Sequence, residues 1–105
     1  MKKSISVDQL KQLNMDRENV VIIDVRKREA FDLDPVTIRN AIYHVPGDID
    51  NWMSEIPRDR KIVVYCVHGH EVSQGAAETL RNNGFDACYV EGGVEAWKQA
   101  GGSAS

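Results

Sequence analysis

The chain has 105 residues, 13 basic and 16 acidic side chains, a formal charge of −3 and a hydrophobic fraction of 42%. That supplies one modest core and fits one domain, while the acidic balance argues against nucleic acid as the main partner, because phosphate recognition needs a basic face. Two cysteines, Cys66 and Cys88, are too few for a disulfide-stapled scaffold, and no apolar run suits a signal peptide or a membrane span, so a free thiol in a reducing cytoplasm is expected.

Ser6-Val7-Asp8-Gln9 has the spacing of a capping box and opens a short helix reaching about Leu13, with Val7 and Leu10 inward. Val20-Val21-Ile22-Ile23-Asp24-Val25 is a continuous β-branched run, the pattern of a strand covered on both faces. Residues 26–33 can form a helix with Ala30, Phe31 and Leu33 as its apolar positions, ended by Asp34-Pro35. Residues 40–45 form a short extended segment stopped by Pro46-Gly47, and residues 48–54 a short helix with Ile49, Trp52 and Met53 inward. After a polar turn at Pro57-Arg58-Asp59-Arg60, the strand Lys61-Ile62-Val63-Val64-Tyr65 runs straight into Cys66. Residues 73–83 are helical, with Ala76, Ala77 and Leu80 spaced from Ser73 on one face and Gly84 at the C-terminal turn. Residues 85–90 form another strand, Glu91-Gly92-Gly93 turns the chain, and residues 94–100 form a last helix with Val94 and Trp97 inward.

Strands alternating with helices at this spacing predict an α/β fold with a mostly parallel central sheet and helices on both faces. Residues 1–101 are expected to form a single domain, with 102–105 as a frayed tail. Open sheets of this kind bind ligands beyond the carboxyl ends of their strands, and Cys66 stands at such an end.

The segment Cys66-Val67-His68-Gly69-His70-Glu71-Val72 therefore carries most of the chemical information. Backbone amides curling into a helix N-terminus stabilise a thiolate and any anion bound beside it. Gly69 permits a tight turn, and His68 and His70 add hydrogen-bonding or cationic character near neutral pH. The same position also suits an ordinary buried cysteine, since free cysteine is among the most buried residue types. The loop alone leaves both readings open.

Other chemistries fit less well. A cysteine phosphatase needs Cys-x5-Arg to grip phosphate, but the sixth residue after Cys66 is Val72. Cys66, His68 and His70, with Cys88 or His44, lack the paired spacing of a metal centre, so neither metal nor cofactor is expected. Cys88, Trp52 and Trp97 are expected in the core, Asp24 and Arg26 as structural partners at a strand end, and Glu78 and Arg81 on a solvated helix face.

Three motifs together resemble the rhodanese family. Ile23-Asp24-Val25-Arg26 with Glu29-Ala30-Phe31 resembles its first signature, Val63-Val64-Tyr65-Cys66 with the loop through Val72 its active-site segment, and Tyr89-Val90-Glu91-Gly92-Gly93-Val94-Glu95-Ala96-Trp97 its closing signature. The resemblance implies a three-layer rhodanese-like fold and a sulfurtransferase. In it Cys66 takes a sulfane sulfur from thiosulfate or a persulfide, holds it as a persulfide among the amides of Val67, His68, Gly69, His70, Glu71 and Val72, and passes it on. The acceptor would be cyanide or a thiol, including a thioredoxin-like protein, with ping-pong kinetics. A non-catalytic rhodanese-like binding module is the alternative. The chain departs from the family pattern twice. Glu71 and Val72 stand late in the loop, where many active members carry Arg, Lys or Thr, so Glu71 is expected to repel thiosulfate. Val36-Thr37-Ile38-Arg39-Asn40-Ala41 replaces the usual Gly-His-Ile-x-Gly-Ala segment.

Overall fold

A computed structural model describes residues 3–14 and 19–102. The expected tail thus lies outside the described residues from 103 onward. Gly102 itself donates its amide to the Trp97 carbonyl at 2.9 Å.

Five parallel strands form one sheet in the order β1-β5-β4-β2-β3. They are β1 (Ser4–Ile5), β2 (Val20–Asp24), β3 (Ile42–Tyr43), β4 (Lys61–Tyr65) and β5 (Asp86–Val90). The helices are α1 (Val7–Asn14), α2 (Arg28–Leu33), α3 (Ile49–Trp52, flanked by 3-10 turns), α4 (Glu71–Asn82) and α5 (Gly93–Gln99). The architecture is α/β, as the alternating pattern predicts. No described helix is long and apolar enough to cross a membrane.

Both faces of the sheet are covered, which is why β2 and β4 lack polar alternation. Val63 and Tyr65 of β4 point to one side, where Leu10 of α1 and Trp97 of α5 pack; Ile62 and Val64 point to the other, against Trp52 of α3 and Leu80 of α4. Cys88, Trp52 and Trp97 are buried in these two cores. Burial pushes the Cys88 thiol pKa up. The capping box at α1 forms reciprocally: Gln9 N donates to Ser6 Oγ at 3.2 Å, and Ser6 N to Gln9 Oε1 at 2.8 Å.

Several boundaries differ from the sequence expectation. β1 has two residues, too short to show a period, and exists because it pairs with β5. The extended segment 40–45 is a strand only at Ile42–Tyr43. Asn40 takes φ +71 where the family's usual segment has glycine, and asparagine is among the residues that best tolerate that region. α2 starts at Arg28 rather than at residue 26 and buries no residue fully; Leu33 is 88% exposed and Phe31 stacks on Tyr43 at 4.0 Å. α4 starts at Glu71, not at residue 73, so Glu71 and Val72 form its first turn.

The late start of α2 has a definite cause. Arg26 is folded back onto Asp24 at the end of β2. Its Nε and Nη2 donate to the carboxylate at 2.7–3.0 Å, and its backbone amide donates to Asp24 Oδ1 at 3.0 Å. The other guanidinium bonds reach the carbonyls of Asp34 at 2.8 Å and Val36 at 3.1 Å. Burial opposes the Arg26 charge, but the Asp24 bonds and charge outweigh it and raise the pKa. This bidentate pair therefore ties the β2 end to the strap that follows α2. Tyr65 completes the tie by accepting from Ile38 N at 3.0 Å, and burial drives its phenol pKa strongly up.

Removing one partner strands a buried charge. The Asp24→Asn variant is expected to lose about 3 kcal/mol of stability, checked as a lower urea midpoint in equilibrium denaturation.

Candidate functional site

The chain reverses its direction across the sheet between β2 and β4. β2 leads outward to β3, whereas β4 leads the opposite way to β5. The carboxyl ends of these neighbours flank the crevice at which an open parallel sheet binds ligands. Asp24 and Tyr65 stand in register there, so the residues just beyond them face a common space. Arg26 and Lys27 from one side, and Cys66 and Val67 from the other, line a cavity of about 680 Å³ with Ala30, His68, His70, Glu71, Val72 and Gln74.

Of the residues expected at the site, Cys66, Val67, His68, His70, Glu71 and Val72 come together in this cavity. Gly69 does not line it. It is buried at φ +73, where a Cβ would sit 2.7 Å from the Val90 carbonyl and 2.8 Å from Gly92 N. Its role is to let the loop lie against the β5–α5 turn.

That turn fixes the loop from below. Val94 N donates to the Cys66 carbonyl at 2.9 Å and Glu95 N to the Val67 carbonyl at 3.1 Å. The amides at the start of α5, which have no partner within their own helix, are thus satisfied by the loop. The approach requires glycine at residue 93: its φ is +62, and a Cβ would lie 2.4 Å from the Cys66 carbonyl. Gln74 Nε2 braces the loop from above by donating to the Gly69 carbonyl at 2.9 Å.

The carbonyls of Cys66, Val67 and Gly69 are thus taken, while the loop's own N–H groups are not drawn into these bonds. The first amide of α4 to find a carbonyl is Gln74 N, which donates to His70 O at 3.1 Å. The amides of residues 67–73 ahead of it have no carbonyl partner among the described residues. They form the electropositive start of a 12-residue helix directly after Cys66.

Cys66 is 6% exposed, and its Sγ lies 3.2 Å from Ser73 Oγ. Among the described residues, the buried polar or charged side chains are Asp24, Arg26 and Ser73, and all three stand at this end of the sheet. A neutral thiol can donate to the hydroxyl; an anionic sulfur leaves the hydroxyl as the donor. Sequence reasoning counted Ser73 only as the origin of a helical stripe. Its signal was the seven-residue separation from Cys66, legible only once α4 is known to start at Glu71.

The cavity's charge is also richer than the loop sequence suggested. Lys27 is exposed on its wall, Arg26 is neutralised by Asp24, and Glu71 faces the same space. The rings of His68 and His70 are 6.1 Å apart and tilted. Among the described residues no three His, Cys, Asp or Glu side chains converge as a metal requires.

The family model of the Rhodanese-like domain matches residues 6–100. The chain belongs to the rhodanese-like domain family. Its sequence is 35% identical over 99 residues to the thiosulfate sulfurtransferase GlpE of Pseudoalteromonas translucida, covering 93% of this chain and 90% of that protein. It is 34% identical over 90 residues to the protein of that name from Vibrio cholerae serotype O1, covering 85% and 82%. A crystal structure of a rhodanese-related protein from Thermoplasma volcanium superposes with a TM-score of 0.83 at 29% identity, over 98% of this chain and 97% of that one. Within this rhodanese-like domain, the closing signature is the floor of the cysteine loop.

Gly93→Ala is expected to cost about 2–4 kcal/mol, from the left-handed backbone and the overpacked contact. Thermal unfolding of the variant beside wild type measures it.

Proposed function

We propose that this rhodanese-like domain is a sulfurtransferase whose Cys66 carries a sulfane sulfur as a persulfide. The observation that carries the reading is the pairing of a cysteine on a cavity wall with a run of unaccepted amides directly after it. The similarity to proteins named thiosulfate sulfurtransferase supports it.

In the first step the Cys66 thiolate attacks the outer sulfur of thiosulfate. A sulfur–sulfur bond forms to Cys66, the bond to the sulfonate sulfur breaks, and sulfite leaves with its electron pair. The amides of residues 67–72 hold the resulting anionic persulfide, with the Ser73 hydroxyl beside the attacking sulfur. In the second step a thiophile, cyanide or a thiol, takes the outer sulfur and restores the thiolate. Two displacements through one covalent intermediate give ping-pong kinetics. The natural acceptor is a thiol in the cytoplasm, a thioredoxin-like protein included.

Incubation with thiosulfate, followed by intact-protein mass spectrometry, should add one sulfur to wild type and none to Cys66→Ser. Ser73→Ala should load about tenfold more slowly through a lower kcat with donor KM little changed, as expected for a lost hydrogen bond to a charged sulfur. An absence of loading from every donor tried would leave the domain an interaction module.

Glu71 opposes a dianionic donor from the same cavity. Glu71→Arg should lower the thiosulfate KM by about fivefold, equivalent to about 1 kcal/mol of reversed electrostatics. An unchanged KM in steady-state assays removes the repulsion argument.

A further inference from the structure

The second displacement leaves one proton unassigned. Thiosulfate gives up its outer sulfur with no proton to lose, but an acceptor thiol is only a few per cent ionised at pH 7. The thiolate, not the thiol, is what attacks sulfur. A group beside Cys66 that takes the acceptor's proton closes this gap.

Among the described residues, the ionisable side chains lining the Cys66 cavity are Arg26, Lys27, Cys66, His68, His70 and Glu71. Arg26 is tied to Asp24, and neither a guanidinium nor an ammonium has a site for a further proton, which removes Arg26 and Lys27. Cys66 carries the cargo. As a side-chain type, a carboxylate is a much weaker base than an imidazole, which sets Glu71 aside. Two imidazoles are left, the side chain that both takes up and releases a proton between pH 5 and 8.

Their placement is built into the loop. Two of the chain's three histidines flank Gly69, and both are exposed on the wall of the cavity. Gly69 between them goes the other way: it is buried against the Val90 carbonyl and the Gly92 amide. The apex is held by Gln74, whose side chain donates to the Gly69 carbonyl and whose backbone amide donates to the His70 carbonyl. The two rings lie 6.1 Å apart, and no side-chain hydrogen bond or ion pair engages either of them among the described residues. The third histidine differs, since the His44 ring is stacked on Trp52 at 4.8 Å. The charges around the pair come from three elements. Arg26 and Lys27 stand on the β2–α2 side and Glu71 on α4. On the β5–α5 turn under Gly69, Glu91 accepts from Ser4 Oγ at 2.9 Å and Glu95 pairs with Lys98 at 3.7 Å.

We propose that the His68 and His70 imidazoles are the general base of sulfur delivery, taking the proton from an acceptor thiol in the cavity. The inference rests on the reading of Cys66 as sulfur carrier and adds catalytic residues to its second step. The step balances. A neutral imidazole accepts the proton of R–SH and becomes imidazolium. The freed R–S⁻ forms a sulfur–sulfur bond to the outer sulfur of Cys66–S–S⁻, the bond from that sulfur to Sγ breaks, and Sγ keeps the electron pair as thiolate. R–S–S⁻ departs, and the imidazolium returns its proton to solvent.

Ping-pong chemistry lets this half-reaction be measured by itself. The full chain is loaded from thiosulfate, freed of donor, and discharged into glutathione or into sulfite, with the remaining persulfide read by intact-protein mass spectrometry. The sulfite dianion attacks through a lone pair already free and needs no base. In the double variant His68→Asn with His70→Asn, the ratio of the glutathione rate to the sulfite rate should fall about tenfold or more at pH 7. At pH 9.5, where a thiol ionises by itself, the ratio should return to within about twofold of wild type. The two single variants should divide the drop between them, and a thermal melt beside wild type establishes that each stays folded. A ratio unmoved at pH 7, an equal loss with both acceptors, or a loss that persists at pH 9.5 overturns the base. Failure of wild type to load from any donor refutes the proposed function itself, whereas loading with an unmoved ratio refutes the base alone.

Discussion

The geometry at Cys66 depends on one exchange of hydrogen bonds between two elements remote in sequence. The amides opening α5 need acceptors, and the cysteine loop needs its carbonyls held so that its own amides face the cavity. Val94 and Glu95 donating to Cys66 and Val67 meet both needs at once. The exchange is possible because two glycines in left-handed conformations, Gly92 and Gly93, bring the backbones into contact. The closing signature of the chain is thus part of the site although none of its residues lines the Cys66 cavity.

On the opposite side the β2 end is held by Asp24 and Arg26. A buried ion pair contributes little net stability when weighed against an apolar replacement, but its geometry is demanding. Here one guanidinium joins the end of β2 to the carbonyls of Asp34 and Val36. The same fold-back delays α2 to Arg28 and leaves Lys27 on the cavity wall. Lys98, reaching from α5 to the Asp34 carboxylate, links this strap to the element that supports the cysteine loop.

The sheet and the cysteine position were legible in the sequence because β2 and β4 are fully covered strands, and their β-branched runs state it directly. The capping box at Ser6 was legible for a related reason: its two bonds lie within four residues. Features that depended on distant partners were not. β1 is a strand through its pairing with β5. Arg26 looked helical because propensity does not register a side chain turned back by two residues. The start of α4 was set two residues late, which hid the role of Ser73 and left Glu71 looking like a loop residue rather than the first residue of a helix. Lys27 carried no signal, since only the sheet order brings it opposite Cys66.

The placement of Cys88 has a consequence for how long a captured sulfur stays put. This second thiol is fully buried within β5, opposite Val63, and burial disfavours its ionised form. It offers Cys66 no internal partner with which to close a disulfide and discharge its cargo. On the proposed chemistry the domain is therefore a single-berth carrier. Its loaded form has no intramolecular exit, and its lifetime is set by the arrival of an outside acceptor.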